Sequence, residues 1–292
     1  MSCHTVPVRI WVCGVRGSTP APGPEYVRYG GHTSCLAIAH DGGRPTLILD
    51  AGTGIRRISD LFDAEPGIMA GEAMDGAILL GHLHWDHTQG LPFFAAGNNE
   101  NSRVDLYAPE QGDIEEVLAG FMSPPYFPIT PGELLGSWTF TGLSEGRYEI
   151  EGFRVLALDI PHSGGRTLGF RISDGTSTIA YLSDHCPTKF GPGPDGLGEY
   201  HDAAVTLARD CDLLIHDAQY TDDELPERAR FGHASCGYAV GLARRAGARE
   251  VLLFHHDPAQ RDDEIDAIVA MYKDDPVVVS AAAERSIIDL PR

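Results

Sequence analysis

The chain has 292 residues, 42% of them hydrophobic, and its 42 acidic against 22 basic side chains give a formal net charge of −20. That is ample apolar material for a packed core, read as a single domain spanning 1–292, while the acidic balance argues against a partner held through many phosphates, which needs clustered Lys and Arg. No stretch approaches the ~20 apolar residues that span a bilayer, and residues 1–7 lack the basic and apolar regions of a secretory leader, so no membrane association and a cytoplasmic location are expected. Cys3, Cys13, Cys35, Cys186, Cys211 and Cys236 are scattered without a CxxC pair, which points to buried thiols rather than a zinc ribbon or a disulfide framework. Only Lys189 and Lys273 among the basic residues are lysines, and a few of the arginines could still bind one small phosphate.

In chain order, residues 8–12 read as a strand that leaves through the glycine turn Gly14-Val15-Arg16-Gly17-Ser18. Residues 34–39 and 46–49 read as two more strands, the second ending at Asp50-Ala51-Gly52-Thr53-Gly54 before a helix over 55–62. A strand at 77–80 leads into His82. Residues 89–101 form a loop on the side of that histidine, 113–119 a helix, and the prolines of 123–128 impose a stiff loop placed as a wall or lid. Strands follow at 153–158, 168–172 and 178–182, a helix at 202–209 and a strand at 212–215. A helix capped by Ser235 runs to Ala246 and stops at Gly247, then come a strand at 251–254 and a helix over 262–273. This succession indicates a layered α/β architecture.

The run His82-Leu83-His84-Trp85-Asp86-His87 crowds four metal-type ligands into six residues at a strand end. With one residue between them, His82 and His84 project to the same side of an extended backbone, while Asp86 and His87 face elsewhere; that suits two adjacent ions better than one. Metal-type residues recur wherever an apolar strand ends: His162, Asp184, His216-Asp217 and His255-His256. In open α/β sheets such carboxyl ends share a rim. Taken singly, His162 reads as a loop histidine and Asp184 as a turn or cap; Asp50 reads equally as a turn residue and as a group orienting a ligand histidine.

With these residues the chain resembles a metallo-β-lactamase superfamily hydrolase, whose motif is His-x-His-x-Asp-His. The resemblance implies a four-layer αβ/βα sandwich in which His82, His84 and His162 bind one ion, Asp86, His87 and His255 a second, and Asp184 bridges them. Zn²⁺ is the first expectation for the two ions, with Mn²⁺ or Fe²⁺ compatible with the same donors. His255 follows its strand directly and suits the motif; His256, one residue on, should point elsewhere. His216-Asp217-Ala218-Gln219 and His233-Ala234-Ser235 resemble motifs of the phosphodiesterase branch that includes ribonuclease Z, with Asp for Glu and Gln for Thr. That branch implies Asp217 orienting His233, which protonates the leaving oxygen, beside a water activated by the ions near Asp86.

Ribonuclease Z carries an arm for grasping tRNA, and the interval between His162 and Asp184 has no room for one. The armless relatives resemble cyclic nucleotide phosphodiesterases and phosphoribosyl cyclic phosphate phosphodiesterase, so a small, cyclic phosphodiester is the expected substrate. A metallohydrolase of a carbonyl substrate (lactonase, thioesterase or β-lactamase) and a non-catalytic metal-binding sensor are the alternatives. A homodimer is compatible with the sequence.

Overall fold

The computed structural model describes residues 8–40, 43–59 and 73–290. Two seven-stranded sheets form its centre. The first contains β1 (Val8–Gly14), β2 (Cys35–Ala39), β3 (Leu47–Leu49), β4 (Asp75–Leu79), β5 (Arg103–Pro109), β6 (Ser137–Leu143) and, at its edge, β14 (Ile287–Leu290), in the order β14-β1-β2-β3-β4-β5-β6. The second contains β7 (Gly146–Ile150), β8 (Phe153–Asp159), β9 (Leu168–Ser173), β10 (Thr178–Leu182), β11 (Leu213–Asp217), β12 (Glu250–Phe254) and β13 (Val278–Ala281), in the order β13-β12-β11-β10-β9-β8-β7. Each sheet is part antiparallel and part parallel, the parallel portions being β3-β4-β5-β6 and β10-β11-β12-β13.

One apolar cluster lies between the sheets, joining Val8, Ile10, Leu36 and Leu79 of the first to Phe170, Tyr181, Ile215 and Phe254 of the second. Two others cover the outer faces. The first sheet meets Ile55, Leu91, Phe94 and helix α2 (Ile114–Ala119), which follows the single turn α1 (Trp85–Thr88). The second sheet is covered by α3 (Asp202–Ala208) and α5 (Cys236–Ala246), with the short α4 (Leu225–Arg228) between them in sequence and α6 (Asp262–Met271) beyond. Helices, sheet, sheet and helices make the four layers that the resemblance implied. Each large aliphatic side chain so buried stabilises the fold by roughly 1.5–3 kcal/mol.

The helix ends follow local chemistry. Ser235 accepts from the Tyr238 amide at the start of α5, and Gly247 ends it with φ 73. The helix expected over 55–62 begins as a 3₁₀ turn at Thr53–Arg56 and is helical to 59; its remainder lies outside the described residues, as do residues 1–7 with Cys3. The other five cysteines are free and buried. Between His162 and Asp184 the β9–β10 hairpin fills the interval, as the absence of an arm required. Strands β5, β6, β7, β13 and β14 are additions to the sequence reading. Among the described residues no helix is long and apolar enough to cross a membrane.

Candidate metal centre

The parallel register sets the site. Leu182 pairs with His216 and Asp217 with Phe254, so Asp184, Asp217 and His255 emerge at one level from β10, β11 and β12. Across the gap, β4 ends at Leu79 and the chain stays extended to His84 (φ −64, ψ 155) before α1 turns Asp86 and His87 toward the same point. His82, His84 and His162 draw together as one group, and Asp86, His87, Asp184 and His255 as another, with ligand atoms in each group within 4.8 Å of one another. Asp184 faces both: its Oδ1 lies 3.6 Å from His82 Nε2 and 3.7 Å from His162 Nε2, its Oδ2 3.0 Å from His87 Nε2 and 3.5 Å from His255 Nε2.

These side chains fit metal rather than one another. His82 leaves both ring nitrogens, and Asp184 its Oδ2, buried without a hydrogen-bond partner, so close approach here lacks hydrogen-bond alignment. His84 Nδ1 to His162 Nε2 and His87 Nε2 to His255 Nε2 are both 3.3 Å, about the edge of a tetrahedron with metal–nitrogen bonds of about 2.0–2.1 Å. Burial drives His82 well down and His162 to about 4, against the pull of Asp184, so both keep a lone pair at neutral pH. For Asp86 and Asp184 burial works upward, but the surrounding imidazoles hold both well below the carboxylate range. Burial opposes a charge on His87, but Asp184, Asp86 and Asp50 raise it well above the imidazole range, so a cation taking that nitrogen displaces a proton; neutral imidazoles and ionised carboxylates are the forms a divalent cation binds.

The rear of the cluster is braced. His87 Nδ1 is 2.7 Å from Asp50 Oδ2, which also accepts from the hydroxyls of Tyr181 (2.6 Å) and Ser183 (3.3 Å); Asp50 Oδ1 accepts from the Gly81 amide. His162 Nδ1 donates to the Gly232 carbonyl at 2.7 Å, and the Ser18 amide donates to Asp86 Oδ2 at 2.7 Å. Asp50 and His255 hold φ of 58 and 61, a left-handed backbone uncommon outside glycine. His255 turns into the cluster, 3.1 Å from Asp86 Oδ2, whereas His256 turns away to the Ala282 carbonyl. At Gly17 a Cβ would lie 2.4 Å from His255 Nδ1 and 2.6 Å from Gln219 Oε1, two buried atoms that lack other partners; only glycine lets the chain pass there.

Beside the cluster, His233 Nδ1 is 2.9 Å from Asp217 Oδ2, so the aspartate reaches the imidazole despite its shorter side chain. Burial opposes a charge on His233, but Asp217, then Asp184 and Asp86, raise it to about 9. Asp217 also accepts from the amides of His185 and Gln219, which fix the carboxylate. A cavity of about 450 Å³ opens in front, lined by His84, Asp86, His162, Asp184 and His233 together with Ser18, Leu83, Trp85, Gln219, Tyr220 and Phe231. Among the described residues, the proline loop over 123–128 is absent from this lining, and so are the arginines. Sequence reading had overlooked Tyr181, Gly17, Trp85 and Phe231. Inward alternation along β10 could have flagged Tyr181, and the glycine turn Gly17; Phe231 carries no such local signal.

A model of the Beta-lactamase superfamily domain matches residues 46–256. The Ribonuclease Z of Natronomonas pharaonis is 23% identical over 292 aligned residues, covering 85% of this chain and 86% of that protein. Among solved structures, the metallo-beta-lactamase fold protein YhfI from Bacillus subtilis superposes with a TM-score of 0.68 at 20% identity, covering 97% of this chain and 99% of that one. A diphosphatase from the PhnP family superposes with a TM-score of 0.66 at 18% identity, covering 97% of each.

Proposed function

Because the chain belongs to the beta-lactamase superfamily, in its ribonuclease Z-like branch, we propose that it hydrolyses a small, cyclic phosphodiester with two divalent cations, zinc first among them. The chain is a metal-dependent phosphodiester hydrolase; the size of its substrate and the number and kind of its ions are the parts proposed. His82, His84 and His162 hold one cation, Asp86, His87 and His255 the other, and Asp184 lies between. When bound, the cations lower the pKa of water and offset the charge of the phosphate.

The observation that carries this reading is the Asp217–His233 pair opening onto the same cavity as the donor cluster. With Nδ1–H committed to Asp217, His233 offers the proton at Nε2 to the cavity. Asp217 fixes that tautomer and keeps the ring charged, so a proton is ready for the oxygen that leaves phosphorus. Asp86, which also lines the cavity, stays ionised and accepts a hydrogen bond from the attacking water, which orients it. Ester or thioester cleavage at a carbonyl uses the same cations but has less need of a proton donor poised opposite the nucleophile.

The test is a screen of the metal-reconstituted enzyme on cyclic mononucleotides, cyclic dinucleotides and ribosyl cyclic phosphates, beside lactone, thioester and β-lactam substrates. Turnover confined to phosphodiesters is the expected outcome. Turnover of carbonyl substrates alone would replace this reading.

A further inference from the structure

Trp85 and Phe231 stand open at the cavity, 72% and 53% exposed. The other two tryptophans are treated differently: Trp11 is buried, and Trp138 stacks on Phe140. Trp85 has no ring or cation partner among the described residues, and Phe231 has only the exposed Arg230 guanidinium. An indole left in water beside a reaction centre forgoes the burial of a large apolar surface.

The two rings are brought to the cavity by segments of different sheets. Trp85 rides on α1, which follows the first sheet, between His84 and Asp86; Phe231 belongs to the segment after β11 of the second sheet. Gly232 follows it at φ 92, its carbonyl held by His162, and then comes His233. Each ring is thus carried by a backbone segment that it shares with the donor cluster or the proton donor. The rest of the lining is informative by its charge: Asp86 and Asp184, placed above as cation ligands, face the cavity, and among the described residues no Lys or Arg lines it. The two cations are engaged by their ligands and by the reacting phosphate, so a second phosphate would find no Lys or Arg counter-ion among the described lining residues. The cavity therefore suits a molecule whose one charge sits at the reacting phosphorus and whose remainder is flat and neutral.

We infer that Trp85 and Phe231 form a stacking subsite for a nucleobase, which makes a nucleoside cyclic monophosphate the substrate class, in preference to a sugar cyclic phosphate bearing further phosphates. This rests on the phosphodiesterase reading above. Stacking on protein aromatics is sequence-tolerant, so adenine, guanine and the pyrimidines are all accepted.

The experiment uses the full metal-loaded chain and matched substrates: adenosine 2′,3′- and 3′,5′-cyclic phosphates, and the corresponding cyclic phosphates of methyl riboside, which lack only the base. Wild type should favour the base-bearing diester by about 10- to 100-fold in kcat/KM. Trp85→Ala and Phe231→Ala should each lose much of that preference through KM, with a far smaller loss on the base-free diester; Trp85→Phe should retain most of it. Metal content is measured for each variant. Independently of turnover, adenosine monophosphate should quench the Trp85 fluorescence, read as the difference from Trp85→Phe, and ribose 5-phosphate should not. Equal rates on both diesters in wild type with no base-dependent quenching overturn the subsite, and so do equal losses on both in Trp85→Ala. Base-dependent quenching without turnover of any diester keeps the subsite and overturns the phosphodiesterase reading instead.

Discussion

Two buried groups of histidines lie on either side of Asp184, and they behave in opposite ways. On the cavity side, His82, His87, His162 and His255 surround two carboxylates, with ring atoms that lack partners. On the helix side, His185 Nδ1 is 2.9 Å from His216 Nε2, and His185 Nε2 is 2.7 Å from His201 Nε2. His216 Nδ1 lies 2.7 Å from the Asp217 carbonyl, which can only accept, so that nitrogen carries the hydrogen. It follows that His185 donates to His216 and His201 donates to His185, so the lone pairs of His216 Nε2 and His185 Nε2 are both used. Burial, reinforced at His185 by its neighbouring rings, lowers all three, His201 to about 4. A crowd of imidazoles is therefore not a metal site. Ionised carboxylates and unclaimed lone pairs make the difference.

The contrast breaks most visibly at the shared carboxylate. Asp184→Asn keeps the shape and removes the charge; elemental analysis should find one cation or fewer per chain, and kcat should fall on the order of 10³-fold. Full metal occupancy in that variant would remove Asp184 from the centre. His233→Ala should keep its metal but lose about 10²- to 10⁴-fold in kcat on a diester with an alkyl leaving group. The loss should shrink on bis(p-nitrophenyl) phosphate, whose leaving group needs little protonation; identical losses on both would argue against a proton donor.

A smaller effect is expected in the pH profile. The donor works protonated, so kcat should decline as pH rises through its pKa, at or below about 9, since cations on Asp86 and Asp184 take away part of what raises it. Asp217→Asn removes the largest raising influence, and the alkaline limb should move to lower pH; an unmoved limb would assign it to another group. The smallest effect is on the helix side. His185, His201 and His216 have folded pKa values below the unfolded value of about 6.5, so the stability they permit is present above that pH and is lost as pH falls and the unfolded chain takes up protons. His201→Gln should keep full metal content and show a smaller drop in Tm between pH 8 and pH 5 than wild type. Loss of metal in His201→Gln would dissolve the distinction between the two groups.

Much of the donor cluster could be read in the sequence because its members follow apolar strands directly. What the sequence left open was parity. In Asp184-His185, His216-Asp217 and His255-His256, one residue turns to the cavity and the other away; alternation governs His216-Asp217 inside β11, whereas the other two pairs lie past their strand ends, where His255 takes a left-handed backbone. The polar alternation of β5 and β6 was visible and went unassigned, while β13 and β14 are four-residue edge strands whose pairing lies far off in sequence. Phe231 reaches the cavity only because β11 and its following segment fold back over His162. Tyr181 meets Asp50 across the space between the sheets, a contact no local pattern specifies.

The left-handed backbone at Asp50 and His255 has a further consequence. Each such residue carries strain on the order of 1–2 kcal/mol, and it sits where carboxylates and imidazoles are packed with few hydrogen bonds among them. Without cations, then, this region subtracts from the folding free energy. A ligand that binds only the folded form adds about 2.7 kcal/mol at a hundredfold excess over its Kd. That is a sizeable share of a typical domain's margin, so the metal supply of the cell would govern how many copies survive proteolysis as well as how fast each one works.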